Sequence, residues 1–188
     1  MQTYVEIKSL VDNPDFVRQR EDAINGIDYN YIDDPVVGLI SNMAKLPYCF
    51  SLQSCCGHFV YLYNHDIHDY GPLKKIDGIL EVDYRIAYLA LCIDNCTEGK
   101  ELLSYLEKVV EIDKDYIQFG CAEWFWEKQV NSYVLQVQPK RFKHKDRMFV
   151  EIQEAYHIES LKRRFFGMLD LIINCGLKKI NLSDPPKF

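Results

Sequence analysis

The sequence lacks a long hydrophobic run. Its longest unbroken apolar stretch extends from Ile86 to Ile93, well short of the roughly 20 residues that a membrane helix needs. The first ten residues, MQTYVEIKSL, contain no basic start followed by an apolar stretch, so we expect no signal peptide. These features predict a protein that has no membrane segment.

The sequence also lacks an excess of positive charge. Its 188 residues carry a formal net charge of −6, whereas a protein that binds nucleic acid indiscriminately needs many Lys and Arg side chains. A local basic patch on an acidic body remains compatible with this charge. The seven cysteines are odd in number and irregular in spacing, so without an export signal we interpret them as reduced thiols of a cytoplasmic protein.

The pattern of apolar residues predicts one α+β domain over residues 1–188, with a mixed or antiparallel sheet packed against about four helices. Helix starts are indicated at Asn13-Pro14, Asp34-Pro35 and Thr97, and a long helix over residues 152–174 is predicted to stop at Gly176. Strands that arrive singly or in hairpins between helices favour this class over a doubly wound sheet. They are predicted at residues 2–8, 48–53, 59–63, 79–82, 85–93, 116–120 and 132–138, and a loop at residues 64–78.

A compact polar segment, Gln53-Ser54-Cys55-Cys56-Gly57-His58, lies between two aromatic-rich runs. We call residues 53–58 the knot, and the flanking runs predict that it is the turn of a hairpin. Thiolates and imidazoles are zinc ligands, and five candidates fall within fourteen residues: Cys55, Cys56, His58, His65 and His68. Their spacing matches no compact pair-of-pairs pattern, and adjacent cysteines on extended backbone point to opposite faces. We therefore predict no bound metal.

Three other interpretations of the knot stay open. A cysteine with a histidine three positions later could form a thiolate–imidazolium pair for nucleophilic catalysis. Ser54, Cys55 and Gly57 could instead offer a hydroxyl, a thiol and backbone N–H groups to a ligand. Finally, Gly57 could simply supply the positive φ of a hairpin turn. No residue is assigned a catalytic role on these grounds.

A second concentration of charge follows the strand predicted at residues 132–138. It comprises five basic residues: Lys140, Arg141, Lys143, Lys145 and Arg147. A phosphate-bearing partner such as RNA would suit this basic segment, and neighbouring aromatic rings could stack on bases. The alternative is a solvated loop.

The knot and the helix before it resemble the wybutosine-synthesising protein 3 group of tRNA-modifying methyltransferases. That family carries a Ser-Ser-Cys-Ser-Gly-Arg motif on the strand after a helix, which here reads Val37-Gly38-Leu39-Ile40-Ser41-Asn42. Ser54, Cys55 and Gly57 match the motif, whereas Gln53, Cys56 and His58 replace Ser, Ser and Arg. The missing arginine removes a fixed charge and a bidentate contact, which a histidine replaces only in part and only when protonated.

The resemblance, which covers residues 30–62, implies an α+β fold, S-adenosylmethionine as methyl donor and a modified guanosine in tRNA as acceptor. With it, we interpret the knot as a ligand-facing loop whose candidate ligand-binding residues are Ser54, Cys55, Gly57 and His58. The alternative is a non-enzymatic module on the same fold that binds a small molecule or a protein. The sequence makes no prediction of the oligomeric state.

Overall fold

The computed structural model describes residues 4–61, 73, 80–143 and 145–183, and it shows the predicted α+β fold. Every strand pairing in these residues is antiparallel, and they contain five α-helices rather than about four. In chain order the elements are β1 (Tyr4–Val5), α1 (Phe16–Asn25), α2 (Asp34–Met43), β2 (Cys49–Val60), β3 (Glu81–Ile93), α3 (Thr97–Val109), β4 (Ile117–Ala122), α4 (Glu123–Lys128), β5 (Ser132–Val137), β6 (Arg147–Glu151) and α5 (Ile152–Ser183).

The strands form one sheet in the order β1-β4-β5-β3-β2. Strand β3 pairs with β2 along one side, and on its other side residues 87–92 pair with β5 while residues 81–85 pair with β6. Strand β2 is therefore an edge strand of the described sheet. Its outer backbone groups need partners other than a strand.

Three helices cover one face of the sheet and form the main core. The buried side chains of this core include Leu39, Ile40 and Met43 of α2, Leu102, Leu106 and Val109 of α3, and Ile158, Leu161, Phe165, Leu169 and Ile173 of α5. On the opposite face α1 places Phe16 against Phe50, with ring centroids 5.5 Å apart. Apolar burial stabilises a fold by about 25 cal/mol per Å². Because helices pack on both faces of β2, this burial stabilises the strand from both sides.

The core-facing positions of β3 change phase between Ile86 and Ala87. Tyr84 and Ile86 belong to the main core, and so do Ala87 and Leu89, although side chains on a regular strand alternate between faces. On β2 the matching change occurs at Gly57, which has a φ of +77°. The alternation of side chains between the two faces is thus interrupted in both strands at the same level of the sheet. This is where β3 changes its partner from β6 to β5.

The predicted hairpin turn at the knot is wrong. Strand β2 continues through the knot from Cys49 to Val60 and pairs with β3 on both sides of Gly57. A two-residue hairpin turn needs unusual backbone conformations at one or both of its central residues followed by chain reversal, whereas a single left-handed glycine only kinks a strand that has a long partner. The aromatic runs on either side of the knot therefore belong to one strand.

Two other boundaries differ from the prediction. The strands expected at residues 79–82 and 85–93 are not separate, because the single strand β3 runs from Glu81 to Ile93 and pairs with β6 across the predicted gap. Gly176 does not stop α5, which continues to Ser183. A Cβ at Gly176 would lie 2.6 Å from the Tyr48 hydroxyl, so this glycine instead permits a close approach of α5 to the start of β2.

Some predictions concern residues outside the described ones. These are residues 2–3 of the first predicted strand, the strand end at residues 62–63, His65 and His68, most of the loop at residues 64–78, residue 79 and the last five residues. Within the helices that the structure describes, none combines the length and the apolar character that crossing a membrane requires.

Candidate functional site

Asp33, the residue before α2, contacts the knot. Its carboxylate Oδ2 accepts a hydrogen bond from the Cys56 backbone N–H at 2.7 Å and lies 3.5 Å from His58 Nε2. The same side chain makes no capping hydrogen bond to α2, although Asp commonly caps helices. Asp33 therefore satisfies a backbone donor on edge strand β2 and brings a carboxylate to His58.

Cys55 and His58 lie on the same face of the sheet, although they are three positions apart. Cys55 is opposite Tyr88 and His58 is opposite Arg85 on β3. The phase change at Gly57, between the two residues, places both side chains on one face. One ligand atom each of Asp33, Cys55 and His58 lies within 4.8 Å of the others. The side chains of Asp33 and His58 are only 14% and 10% exposed. The knot thus assembles a carboxylate, a thiol and an imidazole in a largely buried cluster.

The electrostatics of this cluster disfavour a cysteine nucleophile. Burial raises the pKa of the Cys55 thiol to about 11, the hydrogen bond from the Gly57 N–H opposes this increase, and the Asp33 charge adds to it. A thiol that is mostly protonated at neutral pH is a poor nucleophile. For Asp33, burial acts to raise the pKa, but hydrogen bonds from His58 and the Cys56 N–H hold it well below its ordinary value. The cluster therefore contains an ionised carboxylate.

Lys162 of α5 supplies a positive charge beside the knot. Its Nζ donates to the Gly57 carbonyl oxygen at 2.7 Å and to Glu159 Oε2 at 3.0 Å, and it lies 5.0 Å from the Phe59 ring centroid. The side chain is only 13% exposed. This ammonium fixes the carbonyl at the kink and connects α5 to β2.

Ser54 lies in a separate cleft of about 450 Å³ at the edge strand β2, next to α1 and α2. Its lining includes Asp22, Asp28, Tyr31, Ile40, Gln53 and Ser54. Tyr31 is 88% exposed, and both aspartates are exposed. Cys55, Gly57 and His58 are not among the described lining residues. The structure thus divides the predicted ligand-binding residues between this cleft and the Asp33 cluster.

Most of the basic segment is paired with acidic side chains. Lys140 lies 3.5 Å from Asp115, Arg147 lies 2.6 Å from Asp83, and Arg141 pairs with Glu154. The adjoining cleft of about 430 Å³ is lined by Glu81, Glu151 and Glu154 as well as Arg141. Acidic groups there reduce the attraction for phosphate.

Two exposed lysines complete the basic segment. Lys143 and Lys145 are exposed, and Lys145 Nζ lies 5.4 Å from the Phe142 ring centroid. The positive charge that this segment presents to a partner is therefore smaller than the sequence suggests and is concentrated at these two positions.

Sequence reasoning missed Asp33, Lys162 and the two cleft aspartates. The doubled acid in Asp33-Asp34-Pro35 was a usable signal, because one of two aspartates is enough to start a helix. Lys162 gave no signal, since a lysine within a long amphipathic helix is ordinarily solvent-exposed. Asp22 and Asp28 are recognisable only once α1 lies beside β2.

Comparison with known proteins identifies similar folds. No protein-family model matches the sequence, and no curated protein matches it. Two structures of the PH1069 protein from Pyrococcus horikoshii each align with a TM-score of 0.51 and 12% identity, one over 86% of this chain and 96% of that chain, the other over 92% and 97%. A hypothetical protein from Aeropyrum pernix aligns with a TM-score of 0.43 and 12% identity, over 77% of this chain and 96% of that chain. Similarity to the PH1069 structures at 12% identity shows a shared fold and nothing further.

Proposed function

We propose that this chain binds S-adenosylmethionine in the cleft next to Ser54 and transfers the methyl group to tRNA in the cytoplasm. One observation carries the proposal: Ser54, a residue that matches the methyltransferase motif, lines the cleft together with Asp22, Asp28 and Tyr31. The donor carries a sulfonium and an ammonium, which carboxylates attract, and an adenine, on which a tyrosine ring stacks.

The size and lining of the cleft support a ligand of this class. A volume of about 450 Å³ lies within the range of roughly 300–1,000 Å³ that small-molecule sites occupy. Ile27, Ile40 and Leu52 line it beside the polar groups, and mixed apolar and polar walls suit an amphipathic nucleoside. Methyl transfer from a sulfonium depends mainly on orientation, so the cleft needs no charged catalyst of its own.

The experiment for donor binding is equilibrium dialysis of the full chain against S-adenosylmethionine. Asp22 and Asp15 provide a matched pair, because both carboxylates pair with Arg18 on α1 but only Asp22 lines the cleft. We expect Asp22→Asn to weaken binding about fivefold, equivalent to roughly 1 kcal/mol, and Asp15→Asn to leave it unchanged. No binding by the wild type would refute the proposal.

The second candidate is a non-enzymatic module that binds a small molecule or a protein. The pairing of Lys140, Arg141 and Arg147 with acidic side chains favours it, because an RNA enzyme needs unpaired basic groups near its acceptor site. Transfer of labelled methyl groups from S-adenosylmethionine to bulk tRNA distinguishes the two. Donor binding without transfer to any tRNA fraction would favour the module.

A further inference from the structure

We propose that Asp33, Cys55 and His58 form a binding site for a divalent metal ion of the zinc class, with a fourth position open to another ligand. The prediction of no metal considered only cysteines and histidines near the knot, and it did not include Asp33. The site is independent of the proposed methyl donor, since neither Cys55 nor His58 lines the cleft next to Ser54.

The donor set fits a borderline metal ion. A carboxylate oxygen, a thiol sulfur and an imidazole nitrogen lie within 4.8 Å of one another, and zinc binds all three donor types. Three protein ligands leave one of four tetrahedral positions open, which is the arrangement of zinc sites that bind a water or a substrate. Calcium and magnesium prefer oxygen ligands, so they fit this set poorly.

The backbone of the knot positions the sulfur as a ligand. Gly57 N–H donates to Cys55 Sγ at 3.4 Å, and a hydrogen bond of this kind orients a metal ligand. The left-handed φ of Gly57 turns Cys55 and His58 to one face. Cys55 and His58 are thereby two ligands from one kinked strand, whereas the neighbouring Cys56 is buried and its Sγ contacts the Gly57 carbonyl at 3.7 Å.

Asp33 is held in place without losing its capacity to bind a metal. Its Oδ2 accepts from the Cys56 N–H at 2.7 Å, which fixes the carboxylate, and an ionised carboxylate offers about four acceptor sites in all. Outer hydrogen bonds of this kind orient metal ligands. The same aspartate does not cap α2, so its side chain serves the knot rather than the helix it precedes.

The positive charge of Lys162 is compensated by an acidic side chain. Lys162 Nζ reaches the Gly57 carbonyl, but it also forms an ion pair with Glu159 at 3.0 Å. The cluster itself carries the negative charge of Asp33, and a bound thiolate adds a second. Lys162 is therefore not an uncompensated positive charge beside the three ligands.

Cobalt(II) titration of the chelator-treated full-length protein tests the site, because tetrahedral cobalt with a thiolate ligand gives a sulfur-to-metal charge-transfer band. We expect one cobalt per chain with this band, and displacement by zinc. Cys55→Ala should abolish the band, and Cys56→Ala, the matched control on the adjacent thiol, should retain it. No methyl donor is present in the titration, so its outcome does not depend on S-adenosylmethionine binding.

Three results would overturn the site: no stoichiometric cobalt binding by the wild type, a spectrum without a thiolate band, or a band that survives Cys55→Ala. The first two are read on the wild type and remain decisive if a variant does not fold. Asp33→Asn and His58→Gln test the other two proposed ligands. Each substitution should weaken the affinity for zinc at least tenfold.

Discussion

Gly57 lies directly against Ala87 of the neighbouring strand. A methyl group at position 57 would approach the Ala87 Cβ to 2.7 Å and its backbone nitrogen to 2.8 Å, closer than packed atoms approach one another. The positive φ of +77° adds a second reason for glycine at this position. One residue thus determines which face of the sheet Cys55 and His58 occupy.

The first prediction concerns this contact. Gly57→Ala should lower the free energy of unfolding by about 2–4 kcal/mol, because the left-handed conformation costs about 1–2 kcal/mol and overpacking adds a similar amount. Gly38→Ala is the matched control, since α2 leaves open space around Gly38 and alanine favours a helix by about 1 kcal/mol. Urea unfolding measures both variants. Equal stability of Gly57→Ala and wild type would contradict the close packing of Gly57 against Ala87.

The second prediction concerns Tyr84, whose hydroxyl is fully buried where β3 changes its partner. It donates to the Val137 carbonyl at 2.9 Å and accepts from the Ala87 N–H at 3.0 Å. Tyr84→Phe leaves two buried backbone groups unpaired, so we expect a loss of about 2–3 kcal/mol in thermal or urea unfolding.

Tyr105→Phe is the control for this substitution. Tyr105 is 40% exposed, and its hydroxyl donates to Glu101, whose side chain is 42% exposed. The control should change stability by less than about 0.5 kcal/mol. A similar effect of both substitutions would mean that the Tyr84 hydroxyl does not stabilise the junction of β3 with β5.

The fold class was predictable from the sequence because hydrophobic periodicity and helix-start signals are local. The apolar run of residues 85–93 predicted most of β3, and the Pro-containing starts predicted α1 and α2 to within a few residues. The continuity of β2 was not predictable in the same way. It depends on pairing with β3 some thirty positions later, and a glycine between two apolar runs has the same local pattern in a hairpin and in a kinked strand.

The candidate site was predictable only in part. The knot identified Ser54, Cys55 and His58 because unusual side chains occurred together. Asp33 joins them across more than twenty residues and Lys162 across more than one hundred, and no short-range pattern records such contacts. The metal hypothesis therefore arises from the tertiary structure, which brings a carboxylate to a cysteine and a histidine that alone are too few ligands.

The third prediction concerns thiol reactivity. All seven cysteines are free, and Cys175 is exposed, whereas burial raises the pKa of Cys49 and of Cys92 to about 12. Because the thiolate is the reactive form, metal-free native protein at mildly alkaline pH should show one fast-reacting thiol per chain with a disulfide reagent. Cys175→Ser should remove this fast phase. Several equally fast thiols in the folded wild type would contradict the full or partial burial of the other six.

The last prediction concerns RNA and distinguishes local from global charge. Lys143 and Lys145 are exposed, whereas Arg141 pairs with Glu154 at the start of α5, so the exposed pair is the better probe of phosphate contact. If both lysines touch phosphates, Lys143→Ala with Lys145→Ala should reduce the log–log salt slope of tRNA binding by about 1.5–2. Lys100→Ala with Lys114→Ala removes the same charge elsewhere and should leave the slope unchanged. Filter binding over about 50–200 mM salt measures it. Identical slopes for the wild type and the first variant, or no binding at low salt, would make the basic segment a solvated loop and favour the non-enzymatic module.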